Sequence, residues 1–294
     1  MKQLAFALVA FAALSATPAD AQTQCQPAGY SRAELDALKA ADWAVASDRA
    51  RNRLALALAA CLGDPDPTLR DGIAFEALAH WMRARQLTSQ TMLALADALE
   101  PRLRTYDDTG FHPPFAALVL SEVARADRID PFMTSERRHQ LLQAALTYFV
   151  GVVDYRGFDD REGWRHGVAH GADLLLQLAL NPAFGRHELT LIRNYLGAQI
   201  APSGHAYRYG ESERLARPII FMAQRGVFSA DEWREWLTSS TRVEADALNS
   251  QAGLTRRHNM MAFLSVLYMQ ASLSENTEDD ALLPGAEAAL RAMP

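Results

Sequence analysis

The sequence predicts an all-α fold, on the strength of three observations. Apolar residues recur at spacings of three and four along almost every segment, which is the pattern of helices that bury one face. Strict apolar/polar alternation, which would indicate half-buried strands, is nearly missing. Short Gly, Pro and Asp turns separate the periodic segments, so we expect about a dozen helices in succession.

The first residues, 1–21, have the pattern of a secretory signal peptide. Lys2 supplies the positive start, residues 4–16 form an apolar run too short to span a bilayer, and residues 19–21 (ADA) fit a small-x-small cleavage site. We therefore expect residues 22–294 to form a single domain in the periplasm or outside the cell. No later window has the eighteen or so apolar residues of a membrane span, so none is expected in the mature chain.

Capping residues and periodicity place the helices in order. The expected starts in the first half are Ser31, which forms a capping box with Glu34, then Thr68 after two prolines, Thr88 or Ser89, and Thr134 or Ser135. Further helices are expected near 114–127, 160–180, 186–200, 211–225, 229–240 and 255–272, and the short amphipathic segment EAALRAM closes the chain.

Helices of this length joined by short turns predict stacked antiparallel pairs in a HEAT-like α–α superhelix. The stretch DPDPTLRDGIAFEAL is similar to the opening of a HEAT-type repeat, with an acidic, proline-containing turn followed by Leu and Arg-Asp. Strict self-similarity at about forty residues is not obvious. A globular α/α bundle is therefore the alternative arrangement.

Charge and cysteine content limit the partners and the compartment. The net charge of −6 is spread along the chain without basic clusters, so nucleic acid is not an expected partner. Cys25 and Cys61 would allow one disulfide in an oxidising compartment. The alternative is a buried, free Cys61 in the apolar stretch LALALAACLG.

The stretch GWRHGVAHGADLL carries the most distinctive polar residues of the chain. On a helix, His166, His170, Asp173 and Gln177 fall within a stripe roughly 60° wide, with apolar residues opposite. Glycine recurs at every fourth position of the same stretch, which predicts the close approach of another helix. The stripe has three interpretations: metal ligands, an acid/base pair, or the solvated side of a packed helix.

His166 and His170 have the spacing of a histidine pair that binds a divalent metal such as Zn²⁺. A complete metal site needs a third ligand from elsewhere, and the glutamate of an HExxH motif is replaced by Gly167. Helix side chains lean toward the N-terminus, so Asp173 reaches back to His170 more easily than to a metal between the histidines. The spacing therefore favours Asp173 as an orienting partner of His170 that fixes its tautomer. If the stripe is catalytic, His170 and Asp173 are the expected catalytic residues.

Two later stretches are candidates for the same groove. SGHAYRYGESERLARP concentrates groups that suit sugars or peptides, with a solvated loop as the alternative; the residues singled out are Tyr207, Tyr209, Glu211 and Arg214. TRRHNMMAFLSVLYMQ places His258 on a core-like helix, where a hydrogen-bonded packing histidine is the alternative to a ligand-binding one. No GxSxG, P-loop or GxGxxG motif follows a strand, which argues against serine-hydrolase, kinase and Rossmann functions.

Three blocks of the sequence resemble a known family. YRGFDDREGWRHGVAHGADLLLQLA, YGESERLARPI and HNMMAFLSVLYMQ occur in this order within roughly residues 100–270 and are similar to domain of unknown function 2785, a bacterial family. The resemblance implies an all-helical, HEAT-like domain without an assigned activity. It supplies no catalytic residues to carry over.

Three functions agree with these observations. The favoured one is an exported helical-repeat module whose groove, lined by His166, His170 and Asp173, binds a small molecule, a peptide or an envelope component. The second is an envelope hydrolase, with or without a divalent metal cofactor, in which His170 is the general base and Glu211 or Asp160 is the acid or third ligand. The third is a structural protein whose polar stripe faces water.

Overall fold

The computed structural model describes residues 25–27, 29–244 and 248–294, and helices dominate them, which confirms the predicted all-α class. The helices are α1 (Arg32–Ala40), α2 (Asp48–Leu58), α3 (Pro67–Leu69), α4 (Glu76–Arg83), α5 (Ser89–Leu99), α6 (His112–Ile129), α7 (Ser135–Val150), α8 (Gly167–Ala179), α9 (Arg186–Ala198), α10 (Glu211–Ala223), α11 (Ala230–Ser240), α12 (Gln251–Leu273) and α13 (Leu283–Arg291). The expected signal peptide lies outside the described residues.

The helix starts follow the capping residues. Ser31 and Glu34 form the predicted capping box of α1, and Thr88 and Thr134 cap α5 and α7 by accepting hydrogen bonds from backbone N–H groups. α3 begins at Pro67, one residue before the expected Thr68, because Asp66 is its cap. A π-helical turn, Arg70–Phe75, then joins α3 to α4.

The expected helix over 160–180 begins later than predicted. Residues 158–164 form a hairpin of two short antiparallel strands, β1 (Phe158–Asp159) and β2 (Gly163–Trp164), and α8 starts only at Gly167. Gly163 has a φ of +73°, a left-handed conformation that a helix does not continue through. Only the later part of the expected helix therefore forms.

The even-numbered helices pack in a row: α2 contacts α4, α4 contacts α6, α6 contacts α8, α8 contacts α10, and α10 contacts α12. α8 lies in the middle of this row and also packs against α7. Most of its residues are buried, including His170. The central helix therefore carries an imidazole into a largely apolar environment.

The N-terminal end of the described chain is attached to the helical body. Cys25 and Cys61 form a disulfide across a sequence separation of 36 residues. Nearby, Arg32 Nη1 lies 2.9 Å from Asp66 Oδ2, and Lys39 Nζ donates a hydrogen bond of 2.7 Å to the Gly72 carbonyl oxygen. In the described part of the chain, every helix is too short or too polar to cross a lipid bilayer.

Candidate functional site

A cavity of about 660 Å³ opens beside the middle of the helix row. Its walls come from the π turn and α4, from α6, from the β1–β2 hairpin, from α8 and from α10. The lining residues are Asp71, Phe75, Arg83, Phe115, Leu118, Ser121, Glu122, Trp164, His166, His170, Asp173, Leu176, Gln177, Tyr209, Gly210, Glu213, Arg214 and Arg217. The polar stripe of α8 and the start of α10 thus meet in one hollow.

His166 is the residue before α8, with φ +58° and ψ +40°. A left-handed backbone is uncommon for a residue other than glycine, and such conformations concentrate at functional sites. Its ring stacks on the Trp164 indole at a centroid distance of 4.7 Å, and its Nε2 lies 3.6 Å from Glu211 Oε1. Burial lowers the pKa of His166, although the Glu211 carboxylate acts in the opposite direction.

His170 lies one helical turn further along α8 and is only 5% exposed. Its ring packs edge-on against Phe115 of α6, with centroids 5.3 Å apart. Burial lowers the pKa of His170 well below its usual value, and repulsion between a protonated His170 and the neighbouring Arg214 and His166 acts in the same direction. The imidazole is therefore neutral at physiological pH.

Asp173 does not orient His170, contrary to the expectation from their spacing. Its Oδ2 lies 2.9 Å from Arg214 Nη2, and its Oδ1 lies 3.9 Å from Arg217 Nη1. Both arginines come from α10, the neighbouring helix in the row, and their charges attract the carboxylate more strongly than a neutral imidazole does. Burial raises the pKa of Asp173 to about 6, and the two arginines limit the rise.

Four buried polar atoms of residues that line this cavity make no hydrogen bond among the described residues. One of them, Asp71 Oδ1, forms an ion pair with Arg70 Nε; the other three are His166 Nε2, His170 Nδ1 and Arg214 Nε. Leaving such an atom unpaired costs about 1–3 kcal/mol, and most buried polar atoms in proteins are paired. All three belong to side chains that line the same cavity. A bound molecule with several polar groups would satisfy them.

The metal interpretation of the stripe finds no support in this geometry. Within the described ranges, no group of three or more His, Cys, Asp or Glu side chains is arranged to hold a metal ion. The Asp173 carboxylate forms an ion pair with Arg214. The ring centroids of His166 and His170 lie 5.7 Å apart, and the two ring planes are inclined to each other by 67°. The part of the chain that the structure describes therefore offers the histidine pair no third ligand of suitable geometry.

Contacts outside the cavity stabilise the positions of its aromatic lining residues Trp164 and Tyr209. Arg70 is fully buried, lies over the Phe111 ring at 3.8 Å, and donates a hydrogen bond of 2.7 Å to the Glu162 carbonyl oxygen in the hairpin. The Tyr209 ring packs where Gly157 lacks a side chain, since a Cβ there would lie 2.1 Å from the ring. These contacts fix the positions of Trp164 and Tyr209 at the cavity.

The structure does not bring every predicted residue to the cavity. Tyr207 is buried, and its hydroxyl donates a hydrogen bond of 2.8 Å to the Gln199 carbonyl oxygen. His258 is exposed on α12, with Nε2 3.4 Å from the Tyr207 carbonyl oxygen. Glu211 lies behind the wall, where it accepts a 2.8 Å hydrogen bond from the Tyr209 N–H, and Asp160 is exposed in the hairpin loop.

Sequence reasoning missed several lining residues. Glu122 of α6 is buried and paired with Arg83 of α4, whose Nε donates a hydrogen bond of 3.0 Å to Glu122 Oε2. A carboxylate within the apolar run FAALVLSEVARA is itself a signal, because buried charges are rare unless they are paired. Trp164 and Phe115 had no comparable signal, since an aromatic residue at helical spacing is usually core.

Comparison with known proteins supplies a family and no activity. A family model described as "Protein of unknown function (DUF2785)" matches residues 102–269, more than half of the 294 residues of the chain. The matched range contains the hairpin, α8 and α10. No curated protein and no solved structure matches the chain.

Proposed function

The chain belongs to DUF2785, a family of proteins of unknown function, and we propose that its central cavity binds a small, uncharged, hydroxyl-rich compound such as a saccharide. The observation that carries this proposal is the convergence of three unpartnered polar atoms, on His166, His170 and Arg214, around one cavity of about 660 Å³. A site of this size accommodates a small organic ligand.

The charges of the cavity wall favour a neutral ligand. Asp71 is neutralised by Arg70, with Oδ1 and Nε 2.6 Å apart, and the Glu122–Arg83 and Asp173–Arg214 ion pairs neutralise four more lining charges. The remaining charged lining residues, Glu213 and Arg217, have opposite signs. A strongly charged ligand would therefore have to displace existing ion pairs.

The aromatic and polar groups together favour hydroxyl-rich ligands over purely apolar ones. Trp164, Phe115 and Tyr209 present ring surfaces that suit the C–H faces of a sugar. Neutral imidazoles donate at one nitrogen and accept at the other, which matches hydroxyl groups that do both. We further propose that the protein is an exported HEAT-like module and that its ligand comes from the cell envelope, as the N-terminal sequence suggests.

Tryptophan fluorescence tests the binding proposal. Trp164 is 37% exposed at the cavity while Trp43, Trp81, Trp233 and Trp236 are buried, so a bound ligand would change mainly the Trp164 emission. We expect saturable changes with neutral mono- and oligosaccharides and none with citrate or phosphate. His170→Gln should weaken the affinity about tenfold through the loss of a hydrogen bond, whereas the exposed His187→Gln should not. Equal affinity in both variants would disprove the proposal.

Hydrolysis of the bound compound is a second candidate function, favoured by the pKa of Asp173. A carboxyl group with a pKa of about 6 is partly protonated near neutral pH and is suited to protonate a leaving oxygen. His170 is a poor general base because its pKa is lowered. This assignment differs from the roles expected from the sequence, in which His170 is the base and Glu211 or Asp160 the acid: here Asp173 is the acid and Glu213 is the carboxylate available to activate water.

The pH dependence of nitrophenyl glycoside hydrolysis tests this second function. The active acid form of Asp173 is present below pH about 6 and is lost as the pH rises through that value, so the rate should fall over the same range. Asp173→Asn should abolish hydrolysis, while the exposed Asp231→Asn should not. No hydrolysis by the native protein, or full hydrolysis by Asp173→Asn, would exclude the candidate.

A further inference from the structure

A second cavity, of about 470 Å³, adjoins the first one along α10. Glu213 and Arg217 line both cavities, so α10 provides a wall that is common to the two. Beyond Arg217 the same helix presents Ile220 and Phe221 to the second cavity. The surface along α10 thus changes from polar to apolar.

The opposite side of the second cavity carries exposed apolar residues beside the polar Gln270 and Ser274. Met269 and Leu273 lie four residues apart on one face of α12, with exposed fractions of 51% and 78%. Half-buried Phe221 of α10 lines the same cavity. Single exposed apolar residues are ordinary, but two exposed ones and a half-buried phenylalanine around one hollow beside a polar site indicate a binding surface. Gln224 and Asp279, joined by a hydrogen bond of 3.2 Å, limit the cavity at its far end.

We propose that the ligand is an amphiphile, with its hydroxyl-rich head in the first cavity and an apolar chain against Phe221, Met269 and Leu273 in the second. The inference rests on the proposed binding function and specifies its ligand class. The two cavities share Glu213 and Arg217 of α10, which supports the proposal. An alkyl chain attached to a head group beside Arg214 would run along α10 past Arg217 onto the apolar surface. From Arg217 to Gln224 the helix rises about 10 Å, which gives room for a medium-length alkyl chain.

Matched glycosides test this inference. Methyl and octyl β-glucoside share one head, and each methylene that is buried strengthens binding by about threefold to fourfold. We expect octyl glucoside, below its micelle concentration, to bind at least tenfold more tightly than methyl glucoside. Phe221→Ser and Leu273→Ser should bring the ratio of the two dissociation constants close to one. The control is Leu254→Ser, which removes an exposed leucine of α12 outside both cavities and should leave the ratio unchanged.

The outcomes separate the two proposals. Equal affinity for both glucosides, or an octyl preference that survives Phe221→Ser and Leu273→Ser, overturns the amphiphile and leaves saccharide binding intact. Unchanged affinity of both glucosides for His170→Gln overturns the binding function of the first cavity. If neither glucoside binds, the amphiphile proposal is wrong for a glucose head group. The Trp164 fluorescence titrations with other mono- and oligosaccharides then decide whether the first cavity binds saccharides.

Discussion

The partial burial of Asp173 carries a cost to stability. Among the described residues, its carboxylate is ion-paired with two arginines of α10, and one of them is 3.9 Å away. A folded-state pKa of about 6 means that the folded protein holds the Asp173 proton more tightly than the unfolded chain does. A residue that is retained at such a cost is a reasonable candidate for a functional role.

We predict that Asp173→Asn stabilises the protein at pH 7.5. Between pH about 4 and 6 the folded protein binds the Asp173 proton more tightly than the unfolded chain does, so stability falls as the pH rises through this window. Asparagine removes that decline but also leaves Arg214 and Arg217 without a carboxylate. The expected net gain is about 1–2 kcal/mol at pH 7.5 and is absent at pH 4.

Urea unfolding at both pH values measures this effect. The exposed Asp231→Asn serves as the control, since its side chain is 88% accessible and makes only a 3.4 Å contact with Arg234. A variant of Asp173 that is equally stable or less stable at pH 7.5 would show that the arginine contacts outweigh the burial of the charge.

The sequence predicts that the polar residues of α8 lie close together, but it does not predict which residue forms an ion pair with Asp173. Periodicity placed His166, His170 and Asp173 on one side, and the density of charged groups drew attention to Arg214. Asp173 pairs with Arg214 across the gap between α8 and α10, 41 positions along the chain, and spacing within one helix does not show such a contact. Local geometry therefore suggested the nearer His170 instead.

At the scale of elements, α8 approaches α7 closely because of one glycine. A Cβ added to Gly171 would lie 2.6 Å from Phe149 Cδ2 and 3.1 Å from Tyr148 Cε1, and both rings belong to α7. Gly167 permits a looser approach, with Val152 Cγ1 at 3.3 Å. The recurring glycines thus predict close packing correctly for Gly171. Gly163 lies in a strand and not in the helix, but it also packs closely, because a Cβ there would lie 2.9 Å from Pro67 Cβ of α3.

We predict that Gly171→Ala destabilises the protein by about 1–3 kcal/mol, because the added methyl group overlaps a buried aromatic ring. Helix propensity alone would stabilise this variant by about 1 kcal/mol, so the sign of the change separates the two effects. Gly197→Ala is the matched control, since a Cβ there would lie 3.2 Å from the Ser240 hydroxyl and no closer than 3.4 Å to the Trp236 ring. Thermal unfolding of both variants measures the difference, and a more stable Gly171→Ala would contradict the close packing.

Capping residues and apolar periodicity predict most of the helices, but they do not predict the β1–β2 hairpin. Ser31, Thr88 and Thr134 each satisfy free N–H groups at a helix start, which is a local property that a sequence displays. The β1–β2 hairpin has strands of only two residues, too short for alternation to reveal, and it is stabilised by distant Arg70 through Glu162. Elements that are stabilised by contacts with distant parts of the chain are therefore the ones that local sequence patterns do not predict.

At the scale of the whole molecule, the cavity depends on several helices being held in one row. Its walls come from α4, α6, α8 and α10, and no single pair of them encloses it. The all-α class follows from composition and periodicity, but the order of helices across the row depends on long-range packing. The family match covers the part of the chain that contains most of these walls.

The disulfide acts on the unfolded chain as a whole, so its removal should change stability without changing the cavity. Closing a loop across a separation of 36 residues restricts the unfolded ensemble by about 3–4 kcal/mol on the chain-entropy model. α1, inside that loop, is also bound to the body through Arg32–Asp66 and Lys39–Gly72, so the folded structure has other attachments there. We therefore predict that reduction lowers the free energy of unfolding by about this amount and leaves the folded state assembled.

Urea unfolding of the oxidised and the reduced native protein provides the measurement, since reduction changes no other atom. The reduced chain should unfold at lower urea with a somewhat larger m-value, because its unfolded state exposes more surface. Cys61→Ala controls for the packing of the fully buried Cys61 side chain. The Trp164 emission of the folded protein should be the same in both redox states, because α6, α8 and α10 lie outside the closed loop. Coincident unfolding curves would show that the link contributes nothing, and a shifted Trp164 emission would show that it shapes the cavity after all.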